Sequence, residues 1–232
     1  MKSQIAFFIA LLALTSCAPV YVPNTINAPQ LTDQGELSGA VTTGVSGLDV
    51  QLAYAVSDNF GVMVNTSFDF GDTSETNYHE HAFGEVGFGY LATFGELGTM
   101  NVFGGYGLGS SAASDEYTFI TDQLKHARGL YHRMFLQSDV GIKSKVFEGG
   151  IGFRTAYVNF YQVRGEVNEY SLTEDNLFLE PMVYLRVGAP NIKLHSQLGF
   201  SASLFSDYAF DYVPFIFNIG LTFRLNTMGL QE

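Results

Sequence analysis

Ten stretches of the chain alternate strictly between an apolar row and a row of glycine, small polar or charged residues. This period of two constrains the fold more than any other feature. In the last stretch Phe215, Phe217, Ile219, Leu221, Phe223 and Leu225 share one side, with Asn218, Gly220, Thr222 and Arg224 on the other. Successive side chains leave opposite faces of an extended strand, so the pattern predicts β-strands. Which face points outward follows from space and solvation. All the apolar rows together would overfill the lumen of one small barrel. The rows of Gly and Ser would make a poor water-facing exterior, which is normally crowded with Lys and Glu. Turned toward lipid, the apolar rows raise neither problem, whereas a soluble lipocalin-like barrel would need a polar outside. The expected fold class is all-β: a transmembrane antiparallel up-and-down β-barrel.

Only 15% of the 232 residues are charged, and no stretch after residue 16 approaches the roughly 20 apolar residues of a membrane helix. Spans must therefore be strands, expected near 36–44, 47–57, 60–70, 80–93, 99–111, 130–143, 145–158, 176–188, 191–204 and 213–225. Asp58-Asn59, Gly95 to Gly98, Ser144 and Pro190 mark tight turns. Longer connections are expected at 71–79, 112–129, 159–175 and 205–212, with only the first odd connection, around Ser46, short. Outer-membrane barrels have short periplasmic turns and long external loops, so an even count places both ends on the periplasmic side. Ten strands are expected, or eight if the short first hairpin stays out of the wall. Pro181 cannot donate to a ladder, which predicts a bulge or bend in the eighth strand.

The N-terminus reads as targeting sequence. Lys2 precedes a short apolar core, Ile5 to Leu14, and residues 1–16 form the expected signal peptide. Leu14-Thr15-Ser16-Cys17 resembles the lipobox of bacterial lipoproteins, in which cleavage leaves the Cys as a lipid-bearing N-terminus. Cys17 is the single cysteine, which excludes an intrachain disulfide. The alternative is a free thiol in an ordinary signal peptide cut further on. Residues 17–34, with Pro19, Pro23 and Pro29, are expected to be an extended lipidated tether on the periplasmic side. The barrel would then occupy 35–226 and a periplasmic tail 227–232. The start Cys17-Ala18-Pro19-Val20-Tyr21-Val22-Pro23-Asn24, followed by a Gly-rich alternating body, resembles small outer-membrane β-barrel lipoproteins of the Bacteroidetes. The resemblance implies a location in the outer membrane and names no activity. Gly220-Leu221-Thr222-Phe223-Arg224-Leu225 resembles the C-terminal signal read by the outer-membrane assembly machinery.

The formal net charge is −12, and most of the acidic excess falls in the long connections. An acidic rim is a poor partner for nucleic acid, which requires a basic patch. Inward positions hold both signs. With a turn at Ser144, Asp139 would face Glu148 and Arg133 would face Arg154, and like charges opposed across strands need neutralising from elsewhere. Two lumen ion clusters are therefore expected. Glu85, Arg133, Arg154 and Glu180 form one; Asp139, Glu148, Arg186 and Lys193 form the other, nearer the periplasm. Buried charges persist only when paired, so the lumen would be plugged.

His79 and His81 would share a face beside Glu80 and are weak candidates for metal ligation; no metal or other cofactor is expected. His195 and Ser196 point to opposite faces and cannot form a nucleophile–base pair. Asp207, Asp211, His79 and His81 near the rim are the residue types used by the omptin proteases, themselves ten-stranded barrels, although no omptin motif occurs. Three functions follow. The plugged lumen favours a non-enzymatic structural or interaction role, with lipid, and a further outer-membrane protein, as partners. The alternatives are a narrow passive pore or transporter, and a surface hydrolase using the rim residues.

Overall fold

Eleven strand segments close into one antiparallel sheet: β1 (Glu36–Gly44), β2 (Gly47–Ala55), β3 (Phe60–Asp69), β4 (Tyr78–Phe94), β5 (Gly98–Ser114), β6 (His126–Lys143), β7 (Phe147–Gly165), β8 (Glu174–Gly188), β9 (Ile192–Phe200), β10 (Ala202–Ser203) and β11 (Phe215–Asn226). This computed structural model describes residues 19–71, 78–114, 126–165, 173–205 and 212–227. Cys17, the signal segment and the last residues of the tail lie outside them. β9 and β10 both pair with β8 in one continuing register, Met182 to Gly199 and Leu179 to Ala202, so they are one stave broken at Ser201. The wall therefore has ten staves. It closes where β1 pairs with β11, and β1 also pairs with β2, so the short first hairpin belongs to the wall.

The side chains sort as the alternation demands. Leu136 is 61% exposed and Ile151 68% exposed on the outside, whereas Arg133 and Arg154 are buried within. The inner face carries the buried charged and amide side chains, interspersed with apolar clusters. Short turns join β2 to β3, β4 to β5, β6 to β7 and β8 to β9, and the other connections after β2 are long. The two ends of the barrel are thus a short-turn end and a long-loop end. β4 to β7 run 17 to 19 residues each, beyond the roughly 9–11 that cross a bilayer. Their excess stands at the long-loop end, where segments expected as connections, including 112–114 and 159–165, continue as strand.

Three expectations fail. β6 and β7 pair with Lys143 opposite Glu148, Gln137 opposite Arg154 and Arg133 opposite Val158, so neither like-charged pair is formed. The difference from the expected register is an even number of residues, which keeps every charge on the inner face. Pro181 sits in unbroken register opposite Phe153, and the irregularity falls instead between Leu130 and Tyr131.

The third correction is the largest. The tether expected over residues 17–34 is not a free linker, because residues 20–31 are all buried while Asp33 and Gln34 are exposed. The segment leaves Gly35, whose backbone bonds to Ala55 and Thr227 at the short-turn end, and runs up inside the barrel. Val20, Tyr21, Asn24 to Ala28, Gln30 and Leu31 are all buried. Leu31 packs with Ala53, Ala55, Leu91 and Phe103 at the bottom, Ile26 and Ala28 with Met182, Tyr184 and Ile216 midway, and Tyr21 with Tyr131, Phe160 and Phe178 at the top. Gly141 makes room for it, because a Cβ there would lie 2.1 Å from the Gln30 amide nitrogen.

An outward apolar face that meets lipid should not accept charge. Leu136→Arg is expected to destabilise the barrel by about 2–4 kcal/mol, measured by urea unfolding from lipid vesicles. A neutral effect would mean that this face meets water.

Candidate functional site

The site is the lumen with the segment threaded through it. Proline suits such a thread, because it has no backbone N–H that would need a partner inside the wall. The carbonyls do need partners, and the wall supplies one for each residue from 24 to 30. Arg154 Nη2 donates to the Asn24 carbonyl (3.1 Å), Gln51 Nε2 to Thr25 (2.7 Å), Gln197 Nε2 to Ile26 (2.9 Å) and Gln137 Nε2 to Asn27 (2.6 Å). Arg186 Nη2 donates to Ala28 (2.7 Å), Arg224 Nη2 to Pro29 (3.2 Å) and Arg224 Nη1 to Gln30 (3.1 Å). Gln197 also accepts from the Ile26 N–H at 2.9 Å, so its amide mimics a strand neighbour. Gln30 has a φ of 48°, a left-handed conformation uncommon outside glycine, and its side-chain amide is held by Thr99 at 3.1 Å. The chain turns there toward β1.

The expected first cluster assembles around the thread. Glu85 and Arg133 lie one stave either side of Gly107 and form an ion pair. Arg154 and Glu180 are direct cross-strand partners and form another. The Asn24 side-chain oxygen joins the pairs, accepting from Arg133 (2.7 Å) and Arg154 (3.0 Å). All four charged side chains are at most 1% exposed. Arg133 also lies 4.2 Å over the Phe83 ring.

The second cluster forms with different members. Glu148 takes Arg186 (3.2 Å), Lys193 (3.0 Å) and Arg224 (3.1 Å). Arg224 and Lys143 both reach Glu36, which extends the network to the short-turn end. Asp139 stands apart. It accepts from Asn101 Nδ2 at 3.1 Å and makes no ion pair among the described residues. The shifted β6–β7 register explains this, since Glu148 now faces Lys143 and Asp139 faces Gly152.

At the long-loop end His79 and His81 lie on β4 beyond the apolar band, next to Glu80, whose outward carboxylate meets the exposed Arg128. His79 Nδ1 donates to the Pro19 carbonyl at 2.6 Å, which leaves Nε2 to accept from His81 Nδ1 at 2.8 Å. Ser67 Oγ lies 2.9 Å from His81 Nε2 and completes the chain. Burial lowers both imidazoles, His81 to about 3, so the pair is neutral as this bonding requires. Asp69, His79 and His81 each present a donor atom within 4.8 Å of the others. That donor set suits zinc, but both nitrogens of each ring are already committed to the chain that holds Pro19. Asp207 and Asp211 lie outside the described residues. His195 is buried against Arg186 Nε at 3.0 Å, remote from the rim.

Sequence reasoning missed Asn24, Gln51, Gln137 and Gln197 as the residues that build the site. The signal was present: Cys17 to Thr32 carries no charge and is rich in Asn, Gln and apolar residues, unlike a solvated linker.

The two acids near the short-turn end should respond differently to mutation. Glu148→Ala strands three cations and is expected to cost about 3–5 kcal/mol. Asp139→Asn keeps the Asn101 bond and should cost less than about 1 kcal/mol. Urea unfolding of the two variants checks this, and equal losses would contradict the assigned network.

No protein-family model matches the chain, and no curated protein matches it. Among solved structures it is similar to the outer membrane protease OmpT from Escherichia coli, at 11% sequence identity and a TM-score of 0.49, over 82% of this chain and 92% of that one.

Proposed function

We propose that this protein is a non-enzymatic outer-membrane lipoprotein whose barrel is sealed by its own N-terminal segment. Its role is structural or interactive, as a subunit of an outer-membrane complex. One observation carries the reading: seven consecutive carbonyls of the segment are each bonded to a wall side chain. A pore needs a continuous water path, and a transporter needs a site that empties. A lumen crossed by a thread bonded at each carbonyl from Asn24 to Gln30, and by buried ion pairs, offers neither. The apolar exterior supports residence in a bilayer, and the alternation of short turns and long loops supports an outer-membrane setting. The lipobox at Leu14 to Cys17 supports acylation of Cys17. Against a hydrolase stands the use of His79 and His81, whose rings are spent on holding Pro19.

Conductance tests the seal. The intact protein is expected to be silent in planar bilayers, and a variant lacking residues 19–31 should show steady ion current. A steady current from the intact protein would favour the pore reading.

A further inference from the structure

The direction of the thread has a topological consequence. Its upper end is fastened at the long-loop end by three separate contacts. Tyr21 forms a parallel bridge with Tyr212, and its carbonyl accepts from the Val213 N–H at 3.1 Å. The Tyr21 ring stacks on Phe178 at 4.8 Å and meets Tyr131 edge-on at 5.9 Å. Pro19 is held by His79 through its carbonyl at 2.6 Å. β11 ends and the tail begins at the opposite end, where Thr227 bonds to Gly35. Pro19 and Thr227, the outermost described residues, therefore lie at opposite ends of the barrel, although the wall has an even number of staves.

We propose that the mature chain is threaded through its own barrel, so that its N-terminus emerges on the external, long-loop side of the membrane. Resting on the reading that Cys17 is acylated, its lipid then enters the external leaflet, not the periplasmic one. One residue, Ala18, separates Cys17 from Pro19, so the chain length allows the acylated residue to stand at most about 7 Å from the exit. The rim at that end exposes Phe70, Tyr161, Leu204 and Phe205, an apolar setting for acyl chains. Retreat of the lipid to the periplasmic leaflet would pull the thread out of the lumen. It would break every carbonyl contact from Asn24 to Gln30 and deprive Arg133 and Arg154 of the oxygen they share.

Thiol labelling of intact cells with a membrane-impermeant maleimide tests this, because acylation consumes the chain's single sulfhydryl. Pro19→Cys retains the carbonyl that His79 holds and should label on intact cells as fully as after permeabilisation. Thr227→Cys should label only after permeabilisation. Labelling of Pro19→Cys that requires permeabilisation overturns the threading. An epitope inserted between Ala18 and Pro19 is a second arm, in which antibody should bind intact cells and binding that needs permeabilisation again overturns it. The unsubstituted protein reports on the lipid separately. It should take up palmitate and no maleimide. If it takes up maleimide, the acylation reading fails while the Pro19→Cys result still decides the threading.

Discussion

A barrel with its apolar face outward turns many polar and charged groups into its core, beside the apolar clusters around the thread, and the rest of this structure depends on partnering them. A buried donor or acceptor without a partner costs about 1–3 kcal/mol, and an unpaired charge costs more. Ion pairs on the wall meet part of this demand. Arg154 with Glu180, and Arg186 with Glu148, sit on adjacent staves directly opposite each other, so register alone brings them together. Guanidinium groups offer more donors than one carboxylate accepts. The surplus goes to the thread: Arg154 to Asn24, Arg186 to Ala28, and Arg224 to Pro29 and Gln30.

Charged donors and apolar burial together hold the thread against the entropy lost on ordering it. Ordering a residue costs about 1–2 kcal/mol in backbone entropy, while a neutral hydrogen bond returns only about 1 kcal/mol. Bonds from the glutamines alone would barely hold the segment. Bonds from charged donors contribute about 1.5–3 kcal/mol each, and burial of Tyr21, Ile26 and Leu31 adds about 1.5–3 kcal/mol for each large apolar side chain. Prolines at 19, 23 and 29 lower the entropy to be lost. The thread is thus part of the core of this protein, in the place that apolar side chains fill in a soluble barrel.

Much of the wall was legible in the sequence. Alternation fixed which side chains face in, and parity protects that assignment against any even error in register. The actual error between β6 and β7 was even, so Arg133, Arg154, Asp139 and Glu148 all stayed inside while their neighbours changed. Turn residues gave the stave count but not the first paired residues, which is why Asp139 was assigned to a cluster it does not join. Strand length beyond the apolar band was illegible, because residues such as His79 alternate without apolar contrast. The thread was hidden for a different reason. Proline argues equally for a solvated linker and for a buried extended segment, and only the uncharged run from Cys17 to Thr32 separates the two.

The central claim is that residues 20–31 are packed inside the barrel. Amide hydrogen exchange on the full chain in lipid tests it most directly. Buried among wall side chains, the amides of Thr25, Ile26, Asn27 and Ala28 should exchange as slowly as those of the central staves, over hours or longer. Exchange of these four amides at the rate of an unstructured peptide would contradict the account, because it would place the segment in water and leave the wall's arginines and glutamines without their partners.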